Sequence, residues 1–276
     1  MKILAIDSSG LVASVAVVED DNLIAEYTTN YKKTHSQTLL PMLDEVKKMI
    51  ELDLSSVDAI AVSAGPGSFT GLRIGSATAK GLGLALDKPI ISVPTVDALA
   101  MNVYGTDQIV CPIMDARRSQ VYTGIYRFLP EKTAQETCEV SFALDVLEPQ
   151  CVVPIETIAD KLNALPVEGC VVFLGDGVPV FREKLASLMH RAYTFAPAFC
   201  SRQRASAAAV LAQDYAKRGK LESADAHVPE YLRPSQAERE RSEAQKTAGE
   251  QAGDALMRKG TYSREQKLKK RESGEK

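Results

Sequence analysis

The sequence predicts an α/β protein built from two similar halves. Residues 1–93 have the pattern of three strands followed by a helix, a strand, a helix and a strand, and this order returns after about residue 108. In each half a short apolar run leads into a glycine-rich turn, Gly65-Pro66-Gly67 in the first and Gly175-Asp176-Gly177 in the second. A chain of 276 residues with 45% hydrophobic and 25% charged residues is typical of a globular protein with room for two domains.

Two halves with this order of elements are the layout of the actin and Hsp70 type of ATPase fold, in which each half is an RNase H-like βββαβα unit. We predict an N-terminal domain at residues 1–105, completed by a helix at about 204–219, and a smaller C-terminal domain at 106–203. The polar segment 234–276 is predicted to be a charged tail, either disordered or a lone solvated helix, because it has few large apolar residues to bury.

In the first half we predict strands at residues 3–7, 13–18, 23–27, 59–63 and 90–93, and helices at 36–50 and 71–86. The helix at 36–50 is amphipathic, since Leu39, Leu43 and Val46 recur at helical spacing on one stripe. Ser68 or Thr70 can cap the second helix.

In the second half we predict strands at residues 109–114, 121–126, 140–147, 171–174 and 193–195, and helices at 155–165 and 181–189. An alanine-rich helix at 205–218 and an extended segment at 229–233 follow. The helix at 155–165 places Ile158 and Leu162 on one face.

The helix at 71–86 has one face almost bare of side chains, because Gly71, Gly75, Ala79 and Gly83 recur every four residues. A glycine in a helix interior costs about 1 kcal/mol relative to alanine. Close approach of another backbone is therefore expected on this face. Two interpretations are open: the face packs on the chain's own sheet, or it contacts a helix of another protein chain.

The turn before this helix is a candidate anion site, because a helix N-terminus after a glycine turn favours negative charge. The turn lacks both the lysine of a P-loop and the third glycine of a dinucleotide-binding loop. Asp7 and Asp115 end equivalent strands and are compatible with two roles, holding magnesium through water or hydrogen-bonding the local turn. The candidate nucleotide or phosphate contacts are Asp7, Ser8, Ser9, Gly67 and Ser68. Beyond weak nucleotide binding, no cofactor is expected.

Two common hydrolase motifs are absent from the sequence. Its histidines are His35, His190 and His227, and no two lie within one helical turn, which excludes an H-E-x-x-H peptidase. No Gly-x-Ser-x-Gly motif is present. We therefore predict no catalytic residue and no metal ligand.

The five cysteines show no C-x-x-C pair, which favours a reduced compartment over a zinc cluster. A carboxylate already stands at Asp7 and no run of 18 apolar residues exists, so we expect a cytoplasmic protein without a signal peptide or membrane span. Residues 238–276 carry 11 Lys and Arg against 8 Asp and Glu, so most of the negative charge lies in residues 1–237. An acidic body is expected to bind RNA poorly by itself.

Four motifs give the chain a specific resemblance to a known family. They are Ala5-Ile6-Asp7-Ser8-Ser9, His35-Ser36-Gln37-Thr38-Leu39-Leu40-Pro41, the run Gly65-Pro66-Gly67-Ser68-Phe69-Thr70-Gly71-Leu72-Arg73-Ile74-Gly75, and Pro229-Glu230-Tyr231-Leu232-Arg233. In this order, over about residues 1–237, they resemble the TsaB (YeaZ) family of tRNA threonylcarbamoyladenosine biosynthesis proteins. The resemblance implies the actin-like fold, with the last helix packing back on the first half.

The resemblance also implies a non-catalytic subunit. Members of this family bind TsaD, which transfers a threonylcarbamoyl group to N6 of adenosine 37 in tRNAs reading codons that begin with A, and the small ATPase TsaE joins the pair. TsaD holds a metal through a histidine pair that this chain lacks. The tRNA would be contacted indirectly, through the complex, and the free chain could form a homodimer through the same helices. The expected partner interface comprises His35, Leu39, Leu43, Val46, Gly71, Arg73, Ile74, Gly75, Thr78, Ala79 and Leu82.

Two other functions stay open at this point. An active ATPase or sugar kinase of the same fold would show ATP turnover by the isolated chain. A metallopeptidase is disfavoured by the missing histidine pair.

Overall fold

The computed structural model describes residues 1–31, 33–132 and 140–233. The predicted tail at 234–276 lies outside these residues. Met1–Leu232 forms one compact unit, which holds two five-stranded sheets with the same strand order.

The first sheet has the order β3-β2-β1-β4-β5. Its strands are β1 (Lys2–Asp7), β2 (Ala13–Glu19), β3 (Asn22–Thr29), β4 (Ala59–Gly65) and β5 (Ile90–Pro94). The helices of this half are α1 (His35–Met49), α2 (Phe69–Leu86) and α3 (Thr95–Ala100). The first three strands pair antiparallel, and β4 and β5 are parallel to β1 and β4 respectively. The predicted elements are confirmed; α3 is an addition.

The second sheet has the order β10-β9-β6-β7-β8, which is the same order in the second half's own numbering. Its strands are β6 (Ile109–Asp115), β7 (Gln120–Lys132), β8 (Val140–Pro154), β9 (Val171–Leu174) and β10 (Tyr193–Phe195). Its helices are α4 (Ile155–Ala164) and α5 (Val178–Leu188), and α6 (Ala205–Lys217) follows. The repetition of βββαβα is the actin and Hsp70 type of fold, as predicted.

The long hairpin β7–β8 is the main difference from the predicted elements. Pairing runs from Gln120 opposite Pro154 to Lys132 opposite Val140, well beyond the predicted strand ends at 126 and 147. Most of β8 is half-buried at the edge of its sheet, so its sequence lacks the alternation that marks a strand with one buried face. Helix α5 begins at Val178 rather than at residue 181, because proline is tolerated in a first helical turn.

The first sheet is covered on both faces. Leu4 and Ile6 of β1 face the apolar stripe of α1, while Ile3 and Ala5 point to the opposite side and meet the alanines of α6. Helix α6 therefore crosses back to the first half, as the resemblance implied. The domain boundaries at 105 and 203 stay a prediction.

Helix α3 lies between the two sheets. Val96 and Leu99 of α3 pack with Val110, Met114 and Tyr126 of the second sheet in one buried apolar cluster. The two halves therefore share a core.

Candidate functional site

The glycine turn after β4 is packed against two other segments of the chain. A Cβ at Gly65, where φ is +133°, would lie 2.1 Å from the carbonyl oxygen of Glu230, and a Cβ at Gly67 would lie 2.2 Å from that of Ser9. The Ser68 N–H donates to the Ser9 carbonyl at 2.7 Å. The Ser68 hydroxyl accepts from the Gly71 N–H at 3.3 Å, which confirms Ser68 as the helix cap.

Asp7 ends β1 beneath this turn and is 1% exposed. Its Oδ1 accepts from the N–H and the hydroxyl of Ser9 at 2.9 and 2.7 Å, and its Oδ2 accepts from the Ser63 hydroxyl at 2.6 Å. Burial raises the pKa of the Asp7 carboxyl, and the hydrogen bonds from Ser63 and Ser9 oppose that shift. Of its two predicted roles, Asp7 fulfils the structural one, since it binds the local turn.

The five predicted nucleotide contacts come together, but most of them are turned inward. Ser8 and Ser9 are buried, and the Ser8 hydroxyl donates to the Gly71 carbonyl at 2.9 Å. Gly67 and Ser68 reach the surface. A nucleotide site at this turn stays a prediction, and Asp7, Ser8 and Ser9 are placed to support the loop rather than to touch a ligand.

Asp115 ends the equivalent strand of the second half. It accepts a hydrogen bond from the Arg117 N–H at 2.8 Å and pairs with the Arg117 guanidinium at 3.2 Å. Burial raises the pKa of neighbouring Asp176, which accepts from the Asp115 N–H at 3.2 Å. Among the residues that the structure describes, no three His, Cys, Asp or Glu side chains are grouped to hold a metal ion.

The bare face of α2 packs on the chain itself, which decides between the two interpretations. A Cβ at Gly71 would lie 2.1 Å from the Ser8 carbonyl oxygen, and one at Gly75 would lie 2.5 Å from the Ser8 hydroxyl. Ala79 is fully buried. The prediction that Gly71, Gly75 and Ala79 contact a partner is therefore wrong, because the first sheet and its loop already occupy that face.

The apolar stripe of α1 is also unavailable to a partner. Leu39, Leu43 and Val46 are at most 5% exposed and belong to the core of the first half. Their assignment to the interface is wrong, because an amphipathic helix buries this stripe against its own sheet first. Half-buried His35 places Nε2 2.9 Å from the Gly10 carbonyl oxygen and so fixes the loop after β1.

The four remaining predicted interface residues lie on α2 at or near the surface. Arg73 is exposed, whereas Ile74, Thr78 and Leu82 are half-buried. Ile74 and Leu82 pack on the core, and the Thr78 hydroxyl donates to the Ile74 carbonyl at 2.9 Å. Only part of the predicted interface is therefore accessible.

Sequence reasoning missed several residues of α1 and α2 that the structure leaves exposed. Leu40 on α1 is 55% exposed and Leu84 on α2 is 64% exposed. Ala77 and Gly81 lie exposed on α2, and a Cβ at Gly81 would meet no atom within 4 Å. Gly81 stands outside the four-residue series of the buried glycines, and this was the available signal.

A strap formed by residues 221–231 runs along α2 in the opposite direction to the helix. Near its start Ala224 lies against Gly83, and at its end the Tyr231 ring stacks on Phe69 with centroids 4.6 Å apart. Between them, the Lys80 ammonium donates to the carbonyls of Asp225 and His227, both at 2.9 Å.

Buried His227 is the central anchor of the strap. Its Nε2 lies 2.6 Å from the hydroxyl of Ser76 on α2, and its Nδ1 lies 2.9 Å from both the Ser92 hydroxyl and the Glu222 carboxylate. Ser76 is 4% exposed and His227 is 1% exposed, so this serine–histidine–glutamate arrangement holds the fold together without access for a substrate.

Comparison with known proteins identifies the family. A family model described as "TsaD: tRNA N6-adenosine threonylcarbamoyltransferase" matches residues 22–241. The tRNA threonylcarbamoyladenosine biosynthesis protein TsaB of Bacillus subtilis is 34% identical over 251 residues, which cover 89% of this chain and 100% of that protein. This chain belongs to the TsaB family.

Further members of the TsaB family agree with this assignment. TsaB of Escherichia coli is 35% identical over 130 residues, covering 46% of this chain and 55% of that protein. The structure of YeaZ from Pseudomonas aeruginosa superposes with a TM-score of 0.64 at 28% identity, covering 84% of this chain and 99% of that chain.

The motifs that carried the TsaB resemblance meet in space. The turn Gly65–Ser68 packs between the loop after Asp7 and the segment Pro229–Tyr231, and His35 holds that same loop from α1. Among the described residues, no helix has the length and apolar character needed to cross a membrane.

Proposed function

We propose that this chain is a non-catalytic subunit required for threonylcarbamoylation of N6 of adenosine 37 in tRNAs reading codons that begin with A. It acts by binding a TsaD-type catalytic subunit, together with a TsaE-type ATPase. The similarity to Bacillus subtilis TsaB carries the proposal, since it extends over 89% of this chain and 100% of that protein. The names of the relatives assign them to threonylcarbamoyladenosine biosynthesis.

The chemistry of the described residues supports a partner role. The Asp7 carboxylate and the Ser8 hydroxyl hydrogen-bond within the chain, where an ATPase of this fold needs polar groups that face a ligand. A metallopeptidase needs a cluster of ligands, and the part of the chain that the structure describes holds none.

The exposed face of α1 and α2 is the proposed docking surface. Leu40 and Leu84 are large apolar side chains in water, and Ala77 and Gly81 leave room for a second helix to approach closely. Gly81 costs helix stability without any contact inside the chain that requires it. A helix of the catalytic subunit explains both features. In the absence of that subunit, a second copy of this chain is the expected occupant of the same face.

Reconstitution tests the function. The purified chain alone should leave tRNA unmodified in the presence of ATP, bicarbonate and threonine, and it should become necessary when TsaD- and TsaE-type proteins are added with the enzyme that supplies threonylcarbamoyladenylate. Modification by the isolated chain, or a full rate without it, would contradict the proposal. ATP turnover by the isolated chain would favour the kinase alternative.

A matched pair of variants tests the docking surface. Leu84→Glu should weaken binding of the TsaD-type subunit by at least about tenfold, because a charge would be buried at a helix contact. Val210→Glu is the control, since Val210 is 44% exposed on α6, away from α1 and α2. Calorimetric titration of both variants measures the difference, and equal affinities would place the interface elsewhere.

A further inference from the structure

Two of the sequence motifs meet at the surface in a cluster formed by Phe69, Arg73 and Tyr231. The Arg73 guanidinium lies over the Phe69 ring, with Cζ 4.1 Å from the centroid. The Arg73 Nε–H donates to the Tyr231 hydroxyl at 3.3 Å, and the two aromatic rings stack on each other. Cation–π contact and hydrogen bonding thus fix the plane of the guanidinium.

The two terminal nitrogens of Arg73 have no acidic partner among the residues that the structure describes. Four other arginines pair with a carboxylate of the chain: Arg117 with Asp115, Arg127 with Asp145, Arg204 with Glu26 and Arg218 with Asp214. In Arg73 the Nε–H bonds the Tyr231 hydroxyl and the guanidinium plane covers the Phe69 ring, while the two terminal nitrogens form an exposed fork that faces solvent. A planar fork of this kind matches the geometry of a carboxylate.

The strap pre-organises the cluster. His227 and Lys80 fix the strap along α2, and the Glu230 N–H donates to the Ala64 carbonyl at 2.7 Å, immediately before Tyr231. Because Tyr231 is held before any partner arrives, binding to Arg73 loses little side-chain entropy. This gives the segment Pro229–Arg233 a role beyond closing the body.

The position of the cluster indicates its ligand. Arg73 is one helical turn from Ala77 on the exposed side of α2, so the cluster is continuous with the proposed docking surface. Tyrosine and arginine are enriched among the residues that dominate binding energy at protein interfaces. The negative charge of residues 1–237 disfavours an RNA phosphate as the ligand.

We propose that the Phe69–Arg73–Tyr231 cluster receives an Asp or Glu side chain of the catalytic subunit in a bidentate ion pair. This inference rests on the proposed function. It predicts that charge and planar geometry at position 73 both contribute to affinity, and that the ion pair weakens as salt is added.

Titration of full-length variants with the TsaD-type subunit of the same organism tests the inference. Arg73→Ala should lower affinity by about tenfold or more, and Arg73→Lys by several-fold, because an ammonium cannot reproduce the fork. The affinity of the unaltered chain should fall with salt more steeply than that of Arg73→Ala. Melting temperatures should fall by no more than a few degrees, because the contacts of exposed Arg73 with Phe69 and Tyr231 are worth only about 0.5–1 kcal/mol.

Arg182→Ala is the matched control. The Arg182 guanidinium lies over the Phe195 ring at 4.0 Å, in the second half of the molecule, so this change removes an equivalent contact without touching α2. Its affinity for the TsaD-type subunit should equal that of the unaltered chain.

The outcomes distinguish a failure of the proposed ion pair from a failure of the proposed function. If Arg73→Ala binds like the unaltered chain while Leu84→Glu does not bind, the carboxylate contact is overturned and the docking surface stands. If Arg73→Ala loses only binding of tRNA or inorganic phosphate, the ligand is a phosphate and the inference is also overturned. If the unaltered chain does not bind the TsaD-type subunit, both proposals fall.

Discussion

At the scale of single residues, the glycines of α2 serve two different purposes. Gly75 is buried and a Cβ there would lie 2.5 Å from the Ser8 hydroxyl, whereas Gly81 is exposed with nothing within 4 Å. The sequence shows the glycines but not which face the sheet will cover. Which face of α2 is buried depends on contacts between residues that are far apart in the sequence, such as Gly75 and Ser8.

We predict opposite effects of alanine at these two glycines. Gly75→Ala should destabilise the fold by about 1–3 kcal/mol, since added volume in a packed site costs more than the gain in helix propensity. Gly81→Ala should stabilise it by up to about 1 kcal/mol, because only the propensity changes. Urea unfolding measures the free energy of unfolding of both variants. If Gly75→Ala is as stable as Gly81→Ala, the loop at Ser8 moves to accommodate the added methyl group.

At the scale of elements, periodicity predicted most strands and helices, because a half-buried element repeats its apolar residues at the period of its backbone. The strap was predicted only as an extended segment at its end. The strap packs on α2 because His227 contacts Ser76 and Glu222. These contacts could not be predicted, because a single histidine forms no periodic pattern in the sequence. The interface prediction failed for a related reason, since the stripe of α1 was read as a partner surface while its own sheet covers it.

His227→Ala should release the strap. The change leaves the buried Ser76 hydroxyl without its partner, and each unsatisfied buried polar group costs about 1–3 kcal/mol. Hydrogen exchange should show that the backbone amides of residues 221–231 lose protection before the sheets do. His190→Ala is the control at an exposed histidine and should change stability by less than about 0.5 kcal/mol. Unchanged protection of the strap would mean that Lys80 and Tyr231 hold it without His227.

At the scale of the whole molecule, the two halves repeat one order of strands but are joined by contacts that have no repeat. The buried Tyr126 hydroxyl of β7 donates to Asp97 Oδ1 of α3 at 2.7 Å. The side-chain amide of Asn102 donates to the carbonyls of Cys200 and Arg202. The doubled layout was predictable from the spacing of strands and turns. The contacts that join the two halves could not be predicted, because they are individual polar pairs between residues distant in sequence.

The Tyr126–Asp97 hydrogen bond should stabilise both halves together, and its loss should depend on pH. Burial raises the pKa of the Asp97 carboxyl above its ordinary value of 3.8, and the hydrogen bond from Tyr126 opposes that rise. Tyr126→Phe removes the opposing effect, so the pKa of Asp97 in the folded state should rise further. Between the Asp97 pKa of the folded unaltered chain and the higher pKa of the folded variant, the variant binds more protons, so across that pH range its stability falls more steeply as pH increases.

Tyr126→Phe should therefore cost about 1–3 kcal/mol at neutral pH and less in acid, where the Asp97 carboxyl is protonated in both the folded and the unfolded states. Because Met1–Leu232 is one compact unit, unfolding should remain a single transition with a lower midpoint. Tyr27→Phe, at a tyrosine of β3 that is 45% exposed, is the control and should leave the midpoint unchanged at every pH. Urea titrations over a pH series measure both variants. A cost independent of pH would show that the Asp97 carboxyl finds another donor, and two separate transitions would show that the halves unfold independently.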